Sequence, residues 1–450
     1  MKKKAAFYTL GCKVNFCETE SLQVLFEKAG FGITGFDDRA DVYVINTCTV
    51  TGHSDHKSRK AIRRARRRSP EAIIVATGCY AQGAPEQIRE MGQADLIIGN
   101  QGRDKLPGLI KSLQGDTVLD LVVSHKSGQG FELLPPAGRR GRTRGFLKIQ
   151  EGCSHQCSYC VVPRVRGPLR SMPPSEAMLR ARTLVDSGCR ELVLTGVHLG
   201  LYGVDLQGVS LPGLLKELET IPGLLRLRLS SLEPSDVNGE LVEQIVDSKL
   251  ICPHLHIPLQ SGDGEILRLM NRPYEPVEYL YLARWLKQTI PGLSLSTDVI
   301  VGFPGETEKH HRRSMKLISD IGFSGLHVFK YSPRPLTPAA DLPDQLPNQL
   351  KEERSREMIR LGEQMASDYR KQFLGTVQPV LVEKVIPYAY GEGFTPHYLR
   401  VRIETDIKAG HWRGREIEAV LEAEEGSYLT AKHKKKRPGR KPGRRADQRK

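Results

Sequence analysis

The segment Glu151-Gly-Cys-Ser-His-Gln-Cys-Ser-Tyr-Cys160 is the stretch that decides the fold, because it places Cys153, Cys157 and Cys160 close together. A cubane iron–sulfur cluster has four irons, so three cysteines leave one iron free for a ligand from outside the protein. Structural zinc, in contrast, normally requires four protein ligands. The spacing therefore predicts a [4Fe-4S] cluster with one open iron, which is a reaction centre.

After this motif, short apolar runs alternate with helical patterns. They predict strands at 146–149, 191–194, 225–229, 254–257, 293–300 and 325–329. Six strand–helix units in about 220 residues are typical of a partial (βα)6 barrel, whose chemistry belongs at the carboxyl ends of the strands. The residues near those ends that we predict to bind a cofactor, together with Tyr159 of the cysteine motif, are Thr195, Gly196, Ser231, Glu233, Gln260, Asp298 and Gly302.

The segment before the motif predicts an open α/β domain with a parallel sheet, because apolar runs and helical patterns also alternate there. Cys12, Cys48 and Cys79 each follow the end of one of these runs. The carboxyl ends of neighbouring parallel strands share one crevice, so the three cysteines should converge. One such cysteine would be read as an ordinary core residue. Three in the same structural position favour a second three-thiolate cluster, whereas Cys17 lies inside a helical pattern and is expected to be structural.

The charge of the chain is strongly uneven. The net charge is +15, and the end of the chain, residues 432–450, contains eleven Lys or Arg and one Asp. This Pro- and Gly-containing tail predicts disorder and attraction to polyanions, although a solvated tail that aids solubility would look the same. No stretch approaches the roughly 20 apolar residues of a membrane span, and the N-terminal residues do not resemble a secretory signal. We expect a cytoplasmic protein without a membrane partner.

Two further regions suggest contact with RNA. The stretch Lys57–Arg68 has eight Lys or Arg on one predicted helix, where their mutual repulsion makes sense if phosphates neutralise them. The segment 378–421 alternates strands and turns, as in a small β-barrel that binds oligonucleotides. Its residues Tyr398, Arg400 and Arg402 offer an aromatic ring among cations. Solvated surfaces would explain both regions equally simply.

With these parts in order, the chain resembles the radical S-adenosylmethionine (radical SAM) methylthiotransferase family over nearly its full length. The resemblance implies an N-terminal methylthiotransferase domain, a radical SAM barrel, a TRAM-like β-barrel and a basic disordered tail. It implies that these span 1–125, 139–370, 373–432 and 433–450. The segments that carry it are Thr9-Leu-Gly-Cys-Lys-Val-Asn15, Asn46-Thr-Cys-Thr-Val50, Thr77-Gly-Cys-Tyr80, Cys252-Pro-His-Leu-His-Ile-Pro-Leu-Gln-Ser-Gly262 and Thr297-Asp-Val-Ile-Val-Gly-Phe-Pro-Gly-Glu306.

The resemblance implies two [4Fe-4S] clusters and bound S-adenosylmethionine. The cluster on Cys153, Cys157 and Cys160 would cleave S-adenosylmethionine to a radical that abstracts hydrogen from C2 of an adenine. The cluster on Cys12, Cys48 and Cys79 would hold the sulfur to be delivered. A second S-adenosylmethionine would supply the methyl group. An electron donor and a sulfur source would be required as partners, and tRNA would be the substrate.

The segments 10–15 and 393–401 look most like the branch that acts on N6-threonylcarbamoyladenosine next to the anticodon. His198 stands where related sequences usually have Asn, and Lys330 where Pro is common. These departures affect the expected substrate more than the reaction. Isopentenyl-adenosine tRNA and a ribosomal protein remain alternative substrates. A non-catalytic iron–sulfur protein that binds RNA is the alternative from another class.

Overall fold

The structure is a computed structural model that describes residues 2–113, 118–125, 130–138, 142–404 and 409–434. Most of the predicted basic tail therefore lies outside the described residues. The chain divides into two compact units, residues 1–369 and 370–450. The predicted fold class is confirmed. The first unit has the expected α/β architecture, and the second unit contains the expected β-barrel. The exact domain boundaries stay predictions.

The N-terminal part of the first unit contains a parallel sheet, which in the described residues has the strand order β2-β1-β3-β4-β5-β6. Apolar strand residues cover both faces of the sheet, as parallel sheets between helices require. Two short strands, β2 and β6, extend the predicted sheet at its edges. The strands are β1 (Lys4–Thr9), β2 (Gly32–Thr34), β3 (Val42–Thr47), β4 (Ile73–Gly78), β5 (Leu96–Ile97) and β6 (Leu119–Asp120). The helices are α1 (Lys13–Lys28), α2 (Gly52–Arg68), α3 (Cys79–Gly83), α4 (Pro85–Glu90) and α5 (Leu106–Ser112).

The second part of this unit is an open barrel of parallel strands. Its strands are β7 (Arg144–Lys148), β10 (Glu191–Thr195), β11 (Arg226–Leu229), β12 (His254–His256), β13 (Ser294–Val301) and β14 (Gly325–Lys330), and a short ladder is formed by β8 (Gln150–Glu151) and β9 (Arg170–Ser171). Parallel bridges from Leu227 to Ile251 and from Ser231 to His256 join its two halves. Within the described ranges no ladder connects β7 to β14, so the barrel stays open on that side.

Helices cover the outer face of this barrel and bury a large apolar core between themselves and the strands. Side-chain caps start several of them; for example, Asn238 accepts a hydrogen bond from the Leu241 N–H. The helices are α6 (Val162–Arg166), α7 (Pro174–Asp186), α8 (Leu211–Leu218), α9 (Gly239–Asp247), α10 (Gly264–Leu269), α11 (Pro276–Thr289), α12 (Glu308–Ile321) and α13 (Asn348–Lys371). The core fixes which strand residues face inward, because alternate residues of a strand point to opposite faces.

The second unit contains a closed β-barrel with the strand order β15-β16-β17-β19-β18. Its pairs are antiparallel except that β17 and β19 are parallel. Closure removes the exposed strand edges that a small sheet would otherwise present. The strands are β15 (Val377–Ile386), β16 (Tyr390–Phe394), β17 (Arg400–Glu404), β18 (Glu416–Glu425) and β19 (Tyr428–His433).

Candidate active site

Cys12, Cys48 and Cys79 lie together at the carboxyl edge of the N-terminal sheet. Cys48 directly follows β3, Cys79 directly follows β4, and Cys12 precedes α1 beyond the end of β1. A Cβ atom added to Gly11 would lie 2.8 Å from the Cys48 sulfur, and Gly11 has a φ of +96°. Only glycine therefore allows the Cys12 turn to approach Cys48 so closely. The topology brings the three predicted ligands to one place.

The sulfurs of this site suit a soft metal ion. Burial raises the pKa of the Cys79 thiol to about 11, although the nearby Arg166 opposes the shift. Burial also raises the pKa of Cys48. Since only thiolates bind metal, binding would displace these protons. The two buried thiols of Cys48 and Cys79, together with the exposed thiol of Cys12, fit an iron–sulfur cluster.

Cys153, Cys157 and Cys160 lie in the loop between β8 and α6. The Cys160 N–H donates to the Cys157 carbonyl oxygen over 3.0 Å, and the His155 N–H lies 3.4 Å from the Cys153 sulfur. Burial raises the pKa of Cys160 to about 12. The loop is thus folded around its three thiols, and this donor set also fits an open-iron cluster.

A basic side chain contacts one sulfur of each site, which the sequence interpretation missed. Arg166 Nε lies 3.2 Å from the Cys79 sulfur, and Arg272 Nη1 lies 3.2 Å from the Cys157 sulfur. A guanidinium this close stabilises a thiolate. The only sequence signal for Arg166 is its position shortly after Cys160, and nothing local marks Arg272.

His198, noted in the sequence as a departure from related proteins, lies at the second site. Its Nδ1 is 3.6 Å from the Cys153 sulfur, and its Nε2 is 2.8 Å from Asp236 Oδ2. Burial alone would lower its pKa, but Asp236 and Cys153 outweigh burial and raise the pKa of His198 to about 9. His198 therefore presents an oriented imidazole beside the cysteine motif.

Arg166 also anchors a buried ion network between the N-terminal sheet region and the barrel. Its Nη1 lies 2.5 Å from Glu18 Oε1 and 2.9 Å from Glu151 Oε1. Lys148 Nζ lies 2.7 Å from Glu18 and 2.8 Å from Glu151. Burial would raise the pKa of Glu151, but Lys148 and Arg166 lower it to about 2. Through Arg166 the network therefore joins Cys79 to Glu151, which precedes Cys153 in the cysteine motif.

The predicted cofactor-binding residues divide into two groups. Glu233 forms an ion pair with Arg272, which places it beside Cys157. Ser231 pairs with His256 by a backbone bridge, and the Gln260 N–H donates to the Asp298 carbonyl oxygen, so these residues share the barrel mouth. Their contacts with S-adenosylmethionine stay predictions.

The other predicted residues have local structural explanations. Tyr159 packs against an apolar cluster that includes Met270 and Phe303. The Thr195 carbonyl oxygen accepts a hydrogen bond from the Ile149 N–H. A Cβ atom on Gly196 would lie 2.8 Å from Gln150 Oε1. The Gly302 N–H donates to Glu306 over 2.9 Å, and a Cβ atom there would lie 2.4 Å from Lys351.

A cleft of about 950 Å³ lies beside the second three-cysteine site. It opens beside the Cys153 loop and reaches the segment that follows Cys79. Its lining includes Gln82, Arg89, His125, Cys153, His155 and Arg164. The cleft is polar and large enough for a nucleoside-sized group, as ligand sites commonly are.

Helix α2 carries two kinds of cation. Arg66 bonds Asp95 at 2.6 Å, Arg64 and Arg68 pair with Asp37, and Arg59 donates to the Tyr80 hydroxyl. Acidic partners thus relieve the predicted repulsion for three of the eight charges, and Arg59 has a hydrogen-bond partner. The remaining cations are exposed, lack an ion-pair or hydrogen-bond partner in the described part of the chain, and lie on one helical stripe: Lys57, Lys60, Arg63 and Arg67.

The C-terminal barrel presents stacked aromatic and cationic groups. The Arg402 guanidinium lies 4.8 Å from the ring centre of Tyr390 and 3.9 Å from that of Tyr428. The Tyr398 ring stacks on Phe394 at 5.1 Å. Glu392 binds Arg402 at 2.9 Å and also Arg400, so part of the predicted positive charge is neutralised. The exposed ring of Tyr398 remains suitable for stacking on a base.

None of the described helices has the length and apolar character needed to cross a membrane. Two family models match the chain. The uncharacterized protein family UPF0004 matches residues 4–99, and the radical SAM superfamily matches residues 147–318. These matches contain the first and the second three-cysteine site, respectively.

Named relatives match over most of the chain. Threonylcarbamoyladenosine tRNA methylthiotransferase MtaB of Bacillus subtilis is 42% identical over 88% of this chain and 89% of that protein. The Aquifex aeolicus protein of the same name is 38% identical over 84% of this chain and 92% of its own length. The tRNA-2-methylthio-N(6)-dimethylallyladenosine synthase of Moorella thermoacetica is 35% identical over 85% of this chain and 87% of its own.

A solved structure supports the fold. The radical S-adenosylmethionine methyltransferase TsrM from Kitasatospora setae superposes with a TM-score of 0.55 at 16% identity, over 76% of this chain and 74% of that one. At this identity the likeness concerns the fold alone. Identities of 35 to 42% with methylthiotransferases, over more than four-fifths of the chain, establish the relationship. The chain therefore belongs to the radical SAM tRNA methylthiotransferase family and lies in its MtaB branch.

Proposed function

We propose that this protein transfers a methylthio group to C2 of N6-threonylcarbamoyladenosine, next to the anticodon of tRNA. The observation that carries the proposal is the presence of two three-cysteine sites in one unit, each with an arginine on one of its sulfurs: Arg166 at Cys79 and Arg272 at Cys157. The proposed reaction has to activate a carbon atom and also deliver sulfur to it. Two separate reaction centres can supply these two steps. Relatives named for this reaction match at up to 42% identity.

The side chains around the sites support distinct roles in this reaction. When bound, a reduced cluster on Cys153, Cys157 and Cys160 would supply the electron that cleaves S-adenosylmethionine, and a cluster on Cys12, Cys48 and Cys79 would carry the sulfur. Arg272 holds both the Cys157 sulfur and Glu233, and so fixes the carboxylate beside the cysteine loop. Arg166 does the same for Cys79 and Glu151.

The cationic surfaces support tRNA as the substrate. The stripe of Lys57, Lys60, Arg63 and Arg67 has the spacing to contact successive phosphates. The target base lies in a single-stranded loop, so it can leave its stack at low cost and enter the enzyme. Because tRNA is the proposed substrate, we also propose a cytoplasmic location. We also propose an external electron donor and a separate source of sulfur as partners.

The proposal is tested by mass spectrometry of tRNA nucleosides from a strain that lacks the protein. The strain is complemented with the wild type, with Cys153→Ala, or with Cys189→Ala, a cysteine of the helix-facing core. We expect the 2-methylthio-threonylcarbamoyl nucleoside to disappear and to return with the wild type and Cys189→Ala only. If it persists while the methylthiolated dimethylallyl nucleoside disappears, the reaction stands and the proposed substrate is wrong.

A further inference from the structure

Three polar side chains form a hydrogen-bonded chain across the last strands of the open barrel. His256 Nε2 and His327 Nδ1 lie 3.2 and 3.1 Å from the same oxygen of Asp298, Oδ1. The neighbours of His327 on β14, Leu326 and Val328, pack against the helix-facing core. Alternation along the strand therefore turns His327 to the opposite face, into the barrel lumen.

Within this chain of groups, His327 is the one that remains available to a ligand. His256 uses both ring nitrogens, since its Nδ1 lies 3.0 Å from the Ser296 hydroxyl. The His327 side chain is 63% exposed, and its Nε2 has no hydrogen-bond partner among the residues that the structure describes. Asp298 orients the ring by accepting from Nδ1, so that Nε2 faces the lumen.

The polarity of this lumen surface distinguishes the two kinds of N6 substituent for which the relatives are named. A threonylcarbamoyl group carries a carboxylate, a hydroxyl and ureido groups, whereas a dimethylallyl group is apolar. Covering this surface with an apolar group would leave His327 Nε2 without a hydrogen bond and would therefore weaken binding. A hydroxyl can donate to Nε2 of the neutral His327 ring, and a carboxylate can accept from Nε2–H when the ring carries both protons, because Nδ1–H then still donates to Asp298.

We propose that His327 is a specificity-determining residue that binds the carboxylate-bearing substituent on N6 of the target adenosine. Asp298 and His256 act as positioning residues. Asp298 orients the His327 ring through Nδ1, and His256 holds Asp298 in place. This inference rests on the proposed function, since it requires the modified base to enter the barrel lumen. It explains how the MtaB branch could prefer a polar substituent on a fold shared with dimethylallyl-specific relatives.

The same three groups could also hold a metal ion, because two imidazoles and a carboxylate lie within 4.8 Å of one another. The hydrogen-bond pattern favours the substrate instead. One carboxylate oxygen accepts from both rings, so the cluster is internally satisfied without an ion. Metal binding by these three side chains is therefore the competing outcome of the test described below.

The test compares two anticodon stem–loop RNAs, which differ only in whether the threonine group ends in a carboxylate or in a primary amide. His327→Asn keeps a polar group towards Asp298 but removes Nε2. For the wild type we expect kcat/KM to fall about 10–100-fold from the carboxylate to the amide substrate. His327→Asn should lower kcat/KM on the carboxylate RNA by a similar factor. The kcat/KM of this variant should then be almost the same on the amide RNA as on the carboxylate RNA.

Two variants check that the effect belongs to Nε2. His327→Gln, whose longer amide reaches the position of Nε2, should recover part of the discrimination between the two RNAs. His310→Asn replaces a histidine on the outer helix α12 and should match the wild type on both RNAs. All proteins are compared at equal cluster content, which the visible absorbance reports.

Equal losses by His327→Asn on both RNAs would mean a merely structural role and would overturn the inference. With both cluster sites loaded, one more equivalent of zinc bound by the wild type than by His327→Asn would overturn it in favour of a metal site. In both cases wild-type activity on the carboxylate RNA would leave the proposed function intact. Wild-type activity only on a stem–loop with dimethylallyladenosine would contradict the proposed function itself and the inference with it.

Discussion

The two three-cysteine sites reach the same donor set by opposite routes. The barrel site takes Cys153, Cys157 and Cys160 from one loop, whereas the N-terminal site takes its cysteines from three strand ends that only the folded sheet brings together. In both sites an arginine lies 3.2 Å from one sulfur. Arg272 pairs with the partly exposed Glu233, but Arg166 is fully enclosed between Glu18 and Glu151. The comparison shows that the local motif needs little support, while the site assembled from distant segments depends on a buried ionic frame.

The largest expected effect separates the chemistry of the two sites. Cys153→Ala should abolish both cleavage of S-adenosylmethionine and methylthiolation, because the radical centre loses a ligand. Cys79→Ala should keep most of the cleavage and lose the methylthiolated nucleoside. Both products can be quantified by mass spectrometry in a reaction with reductant, with Cys189→Ala as the control. Loss of cleavage in both variants would show that the sites are not functionally separable.

The next effect concerns the ionic frame. Arg166→Met removes one of the two cations, Arg166 and Lys148, that Glu18 and Glu151 share, and breaking a buried ion pair typically costs about 3–5 kcal/mol. We expect a clear drop in the thermal unfolding temperature, measured by calorimetry on the cluster-free protein. Arg164→Met, on the exposed side of the same helix, is the matched control and should change it little. Similar stability of the two variants would contradict the importance of the frame.

A smaller effect is expected for the binding of tRNA. Replacing Lys57, Lys60, Arg63 and Arg67 by Gln should weaken tRNA binding and reduce the salt dependence of log Kd by up to about 0.9 per lost phosphate contact. Replacing Arg64, Arg66 and Arg68, which already have acidic partners, should reduce it less. Filter binding at several salt concentrations measures both. If both sets of substitutions give the same salt dependence of log Kd, the stripe does not contact tRNA.

The smallest effect concerns the buried ion pair between Glu191 and Arg228 in the barrel. Burial would raise the pKa of Glu191, but Arg228 at 2.7 Å outweighs it and lowers the pKa. The folded protein therefore holds this proton less tightly than the unfolded chain does. The resulting stability is present above the unfolded pKa of about 4.5 and is lost as the pH falls below it.

Thermal unfolding between pH 7 and pH 3.5 should thus show a shift of a few degrees that involves Glu191. Glu191→Gln should be less stable than the wild type at pH 7 and should lose less stability on acidification. Glu240→Gln, on the exposed first turn of α9, is the control. A parallel decline of wild type and Glu191→Gln would rule out this contribution.

Periodicity and cysteine placement predicted the architecture, because both depend on local regularities. The apolar runs located the strands that precede Cys48 and Cys79 and all six parallel strands of the barrel. The edge strands β2 and β6 escaped prediction, since they are two or three residues long. A run of that length carries no periodic signal.

The supporting residues of the site could not be predicted in the same way. Arg166 meets Glu18 across 148 positions of sequence, and Arg272 meets Cys157 across 115. His327, Asp298 and His256 come from separate strands and meet only because the strands are neighbours in the barrel. Charge patterns on α2 also misled in part, since Asp37 and Asp95 neutralise some cations from outside the helix. Pairings of this kind are products of the tertiary fold.

The enclosure of Arg166 has a consequence for how this enzyme can be taken apart. The N-terminal sheet region carries Glu18 and Cys79, but their cation belongs to the barrel segment. A fragment that ends before the barrel would expose a carboxylate and a thiol that evolved to be covered. The domains are therefore not exchangeable modules, and a chimera between branches of the family would have to transfer Glu18, Glu151 and Arg166 together.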